Sequence, residues 1–140
     1  MKNKMRKKAI ILMLSMLMAI PFGSKVVYAN NYIDSPYTFQ FTTAYEVTAF
    51  RPKQDDSYSY MHCKFASRSY TAHVVSRSTQ TGILQDCSYG RTYQFESGTA
   101  HPMLNSVWER GYREAAILAT RDYAYSYSAN GDWSPDSIGY

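Results

Sequence analysis

Apolar and polar positions alternate over much of the chain. Tyr37, Phe39 and Phe41 share one parity and Thr38, Gln40 and Thr42 the other, which predicts a half-buried strand over 37–43. The turn Asp34-Ser35-Pro36 precedes it. Residues 45–50 continue with mixed polarity and stop at Arg51-Pro52, and the polar, charged stretch 53–57 predicts a loop. Alternation resumes over 58–65, with Met61, Cys63 and Phe65 on one face and Tyr60, His62 and Lys64 on the other. A third strand is expected over 70–75, then a polar turn over 76–82. Short strands over 83–87 and 91–95 flank Ser88-Tyr89-Gly90. Strands this short, at this spacing, predict an all-β chain folded as a small antiparallel β-sandwich.

Residues 101–120 admit two readings. Ser106 and Glu109 have capping-box spacing, and Val107, Trp108, Gly111, Tyr112, Ala115, Leu118 and Ala119 follow a helical period. Glu109 and Arg113 form a favourable i,i+4 pair, while Gly111 weakens a continuous helix by about 1 kcal/mol relative to Ala. The alternative is one short helical turn near 103–110 followed by a strand over 112–120. Beyond it, Tyr123, Tyr125 and Tyr127 alternate with Ala124, Ser126 and Ser128, which predicts a strand with one aromatic face. Asn130-Gly131 is a turn signal, and the closing GDWSPDSIGY reads as a turn-rich tail carrying Trp133. No repeat at solenoid spacing is present.

The first 29 residues have a different character. MKNKMRKK carries five positive charges, and the apolar run 9–20 is too short for a membrane-spanning helix of about 20 residues. Pro21 and Gly23 interrupt it, and Val27-Tyr28-Ala29 is a small-x-small cleavage site. Residues 1–29 are therefore expected to be a signal peptide, and 30–140 one secreted, extracellular β-rich domain. No second apolar run follows, so no transmembrane segment is expected after cleavage.

This division changes the meaning of the composition. The whole chain carries a formal charge of +4, but six of its fifteen basic residues precede residue 30 and all eleven acids follow it. The mature segment is thus net −2, and the basic total is no argument for nucleic acid binding. Residues 30–140 keep thirteen of fourteen tyrosines, five of six phenylalanines and both tryptophans, a bias toward strand. Outside the cell, Cys63 and Cys87 are expected to form one disulfide, whose loop closure would contribute roughly 3 kcal/mol.

Candidate chemistry is sparse. His62 and His73 sit in predicted strands and could meet across a sheet, but no nucleophile-elbow or zinc-protease pattern surrounds them or His101. Partly exposed structural histidines are the expectation. Two Cys and three scattered His lack zinc spacing, and Asp55-Asp56 offers two carboxylates where calcium takes six to eight oxygens. No catalytic residue, metal or cofactor is assigned. The row Tyr123, Tyr125 and Tyr127, with Trp133, is the candidate binding surface: such rings stack on sugars, rest at a membrane interface or pair with a second subunit. The competing reading makes the three tyrosines the core side of the last strand, and Trp133 a plug for one end of the sandwich.

Three stretches, DSPYTFQF, LNSVWERGYREAAIL and GDWSPDS, resemble a group of small secreted proteins of Gram-positive bacteria whose function is unknown. Its members end in a tail close to SG-x-WSPDS, and Asn130 stands here where the Ser is usual. The resemblance implies a β-rich fold, which tips 112–120 toward strand, and carries over no catalytic residue. Cys63 and Cys87 are not part of that pattern. The layout is also similar, as a class only, to lactococcin-type secreted bacteriocins. The expected function is non-enzymatic surface contact, bacteriocin-like or directed at a bacterial envelope. The alternatives are a wall-glycan-binding module and a small hydrolase, the latter requiring two of the histidines in one cleft.

Overall fold

The computed structural model describes residues 31–139; the expected signal peptide, 1–29, lies outside them. Ten strands form and, among the described residues, no helix: β1 (Ser35–Phe39), β2 (Tyr45–Val47), β3 (Arg51–Pro52), β4 (Ser59–Ala66), β5 (Tyr70–Arg77), β6 (Leu84–Asp86), β7 (Tyr93–Phe95), β8 (Ala100–Met103), β9 (Glu114–Arg121) and β10 (Ala129–Ser134). One antiparallel sheet has the order β1-β10-β4-β8; the other has β2-β9-β5-β6, with β3 beside β9 and β7 beside β5. The all-β expectation holds.

The alternating faces meet between the sheets. Tyr37, Phe39 and Phe41 from the first strand region pack with Met61, Cys63, Tyr70, Phe95, Ile117 and Trp133 in one core. The rings touch in series: Tyr37–Phe39 at 4.7 Å between centroids, Phe39–Phe41 at 5.4 Å, Phe41–Tyr70 at 5.3 Å and Tyr70–Phe95 at 5.5 Å. Tilted and offset rings at such distances add about 0.5–1.5 kcal/mol per pair beyond area burial. The hydroxyls of Tyr37 and Tyr70 meet at 2.8 Å, so each buried phenol has a partner. Burial holds both phenols protonated well above the ordinary tyrosine range.

Three edge strands carry a proline, Pro36 in β1, Pro52 in β3 and Pro102 in β8. Proline cannot donate to a further ladder, which blunts an edge against sheet-to-sheet association.

Of the two readings of 101–120 the structure has the second, a short turn followed by a strand, and it corrects four other expectations. Residues 107–111 form a hydrogen-bonded turn in which Arg110 N donates to Ser106 O at 3.0 Å. The turn does not propagate, because Gly111 takes a φ of +80° and ends it. The chain then enters β9, three residues from the end of the turn. The apolar run from Ala115 to Ile117 fits a strand buried on both faces as well as it fits a helix, which is why its spacing misleads.

Tyr123, Tyr125 and Tyr127 do not form a strand; they lie in the connection between β9 and β10. Asn130-Gly131 is not a turn either. It sits inside β10 at a bulge, where a Cβ on Gly131 would come within 1.9 Å of His62 O. Glycine is required there by close backbone approach. The supposed tail is thus an interior strand, paired on both sides by β1 and β4.

The Cys63–Cys87 disulfide is not formed; both residues are buried free thiols. Cys63 belongs to β4 in one sheet, beside the Tyr37 and Tyr70 hydroxyls, whereas Cys87 follows β6 in the other. Cys87 N donates to Val74 O, and its sulfur accepts from Arg110 Nη1 at 3.6 Å. Burial raises both thiols above their ordinary range, so each packs as a small protonated side chain.

Lys53, expected in a solvated loop, is only 2% exposed. Its Nζ donates to Asp136 Oδ1 at 2.8 Å, Pro135 O at 2.8 Å and Ser57 O at 2.5 Å. Asp136 also accepts from Asn31 N and Gln54 N. This fully partnered pair clasps one end of the sandwich.

Candidate functional site

Four connections cross between the sheets at the opposite end: β1 to β2, β4 to β5, β7 to β8 and β9 to β10. They are tied together. Ser67 N donates to Ser128 O at 3.0 Å, Ala66 N to Ser97 Oγ at 2.9 Å, and Ser69 Oγ to Asp122 Oδ2 at 3.2 Å. Tyr127 is the central pin. Its hydroxyl donates to Ser69 O at 2.7 Å and accepts from Asp122 N at 3.1 Å, while its ring packs on Phe41 at 4.8 Å. Tyr127 therefore belongs to the core edge and is not a free binding ring.

Tyr123 and Tyr125 differ from it: they are 39% and 51% exposed. Their rings lie 5.7 Å apart, and each touches Tyr127, at 6.1 and 6.4 Å. The series of rings that starts in the core thus ends in two surface phenols. Arg68, in the β4–β5 connection, lies over both, 5.7 Å from the Tyr123 centroid and 6.0 Å from that of Tyr125. Guanidinium groups are attracted to ring faces within about 6 Å.

Two grooves share Ser67 and Arg68. One, of about 390 Å³, is lined also by Gln40, Thr42, Ser128 and the run Tyr125, Ser126 and Tyr127. The other, of about 340 Å³, adds Ser69, Glu96, Ser97 and Tyr123. The first therefore combines an aromatic face, several hydroxyl and amide groups, one cation and no acid. Sequence reading identified Tyr123 and Tyr125 but missed Arg68, Gln40 and Thr42. Arg68 stands in a short polar segment, and its juxtaposition with rings more than fifty residues away leaves no local signal.

The remaining candidates fall elsewhere. Trp133 is 1% exposed and cannot contact a ligand with its ring; it fills the core, as the competing reading had it. Beside it lies a groove of about 470 Å³ between the sheet edges, whose cation, Arg51, is already bound to the carbonyls of Trp133 and Ile33 and to Asn31 Oδ1. Two of the three histidines share a sheet: His101 stands opposite Met61 on the paired strands β8 and β4, on the other face from His62. His62 is on β4 and His73 on β5 of the other sheet, while His101 on β8 packs against Phe95 and Tyr93. Asp55 closes a local turn by accepting from Ser57 N. Among the described residues no group of three or more His, Cys, Asp or Glu is placed to hold a metal ion, and no helix is long and apolar enough to cross a membrane.

Residues 25–137 match the model of a family described as a protein of unknown function, DUF2712, and the chain belongs to that family. No curated protein and no solved structure matches the chain.

Proposed function

We propose that this DUF2712 chain is an exported, non-enzymatic protein that acts by surface contact, binding envelope glycan in the Tyr125–Arg68 groove. One observation carries the reading: two partly exposed tyrosines and a guanidinium lie together on connections that backbone and side-chain hydrogen bonds hold in place. Sugars present apolar C–H faces and hydroxyl rims. A ring face suits the former, and Gln40, Thr42, Ser67 and Ser126 suit the latter. A site fixed before the ligand arrives loses less side-chain freedom on binding.

Export rests on the signal-like first 29 residues. It predicts that protein recovered from culture medium begins at Asn30; full-length chain confined to cells would overturn it. The groove is tested by retention of the purified protein on insoluble bacterial wall glycan. Tyr125→Ala should lower retention about tenfold while far-ultraviolet circular dichroism and the denaturant midpoint stay close to those of the parent protein. Equal retention of a folded Tyr125→Ala protein would sink the assignment.

A further inference from the structure

The groove's cation points to the kind of glycan. Among the described residues there are seven arginines, and five of them donate hydrogen bonds. Arg51 and Arg121 bind carbonyls at 2.7–3.4 Å, Arg77 binds Glu114, Arg110 binds Asp86 O, and Arg113 binds Trp108 O and Tyr112 O. The side chains of Arg68 and Arg91 make no hydrogen bond or ion pair. Arg91 makes no ring contact either, whereas Arg68 is placed over two aromatic faces.

Arg68 therefore has its position set by Tyr123 and Tyr125 while all five N–H donors remain open. A planar guanidinium with open donors matches a carboxylate or phosphate in two-pronged fashion, and stacking reduces the freedom it would lose on binding. The groove of about 390 Å³ offers this cation no competing acid; Glu96 lines only its neighbour. The segment 30–140 is net −2, so this is a local basic spot on a mildly acidic protein.

We infer that the groove selects an acidic glycan, one whose units bear a carboxylate or a phosphodiester, with Arg68 on the anionic group and Tyr125 on a sugar face. The inference rests on the glycan-binding reading above and narrows it. A diffuse attraction of a basic protein for any polyanion is not the source of the selectivity, because the surrounding charge has the opposite sign.

The test is titration of the purified protein, by calorimetry, with three probes: a polyuronate, the same polymer with its carboxyls reduced to alcohols, and a sugar-phosphodiester polymer. At least one acidic polymer should bind about tenfold or more tightly than the reduced one, with affinity falling as salt rises. Arg68→Gln should erase that preference and leave binding of the neutral polymer in place, whereas Tyr125→Ala should weaken all three. Which acidic polymer is preferred separates carboxylate from phosphodiester as the ligand. Equal binding of acidic and neutral polymers would overturn the acidic inference and leave glycan binding standing. A preference unchanged in Arg68→Gln would also overturn it. Binding of none of the probes would overturn both.

Discussion

At one end of the sandwich Lys53 is sealed under Asp136, with both side chains wholly buried and every ammonium hydrogen directed at an oxygen. At the other end Arg68 rests on two tyrosine rings with no oxygen partner at all. The first cation joins segments more than eighty residues apart and has nothing left for a ligand. The second touches only the rings of another connection and keeps its donors open. Burying a charge requires that its hydrogen-bonding capacity be met within the protein; leaving one exposed does not. Charge alone thus says little about role, and saturation of its partners says much.

Substitutions can break this contrast at several points. Asp136→Asn leaves the Lys53 charge buried without its counter-charge and should cost about 3–5 kcal/mol, read by denaturant unfolding. A double change, Lys53→Met with Asp136→Leu, should cost much less than the two single changes together, because no orphaned charge remains. Loss of groove binding in that double variant, with its fold intact, would show the two ends to be coupled.

Gly131→Ala strikes β10, the strand that runs from the groove to the clasp. The added carbon would meet the backbone oxygen of His62 at 1.9 Å, and backbone cannot swing aside. We expect a loss of about 3 kcal/mol, at the upper end for overpacking, in the same unfolding assay.

Alkaline titration probes the buried phenols. Tyr70 opens β5 at the groove end and bonds Tyr37. Both are raised by burial, so the folded chain keeps protons that the unfolded chain releases near pH 10. Stability should be flat with respect to these groups below about pH 9. Above pH 10 it should fall by up to about 1.4 kcal/mol per pH unit for each phenol. A melting temperature that holds steady from pH 9 to 11 would contradict this.

Tyr127→Phe removes the hydroxyl that joins Ser69 O to Asp122 N and should cost about 1–2 kcal/mol. It should also loosen the groove, whose wall the residue forms in part, so glycan affinity drops. Arg68→Gln makes the smallest difference to folding, about 1 kcal/mol or less, because only exposed ring contacts and no hydrogen bond are lost. A larger destabilisation would mean that Arg68 is a structural residue like Lys53.

How much of this was legible follows from where each residue finds its partners. The strands near 37–41, 59–63 and 70–75 were, because their alternating faces both repeat locally and pack on one core; Phe65, expected on the face of Met61 and Cys63, is instead exposed, where the bulge at Asn130-Gly131 shifts the register opposite it. The tyrosine alternation at 123–127 was misleading, because similar spacing here serves two purposes: Tyr127 is a pin and its neighbours are surface rings. The three stretches that carry the family resemblance turn out to serve the fold. Tyr37 and Phe39 fill the core, and Asn105 receives Val107 N and donates to Ser59 Oγ. The final stretch supplies Trp133 to the core and Asp136 to the clasp.

By itself, then, the amino-acid sequence determined the all-β class, the parity of its main strands and the negative charge of residues 30–140. Those properties arise from short-range spacing and from counting. Only the tertiary structure decided that Lys53 is buried while Arg68 is open, that Gly131 serves close packing, and that Cys63 lies in one sheet while Cys87 follows a strand of the other. Each of those depends on a partner many residues away, and local sequence carries no record of which distant atom folding will bring near.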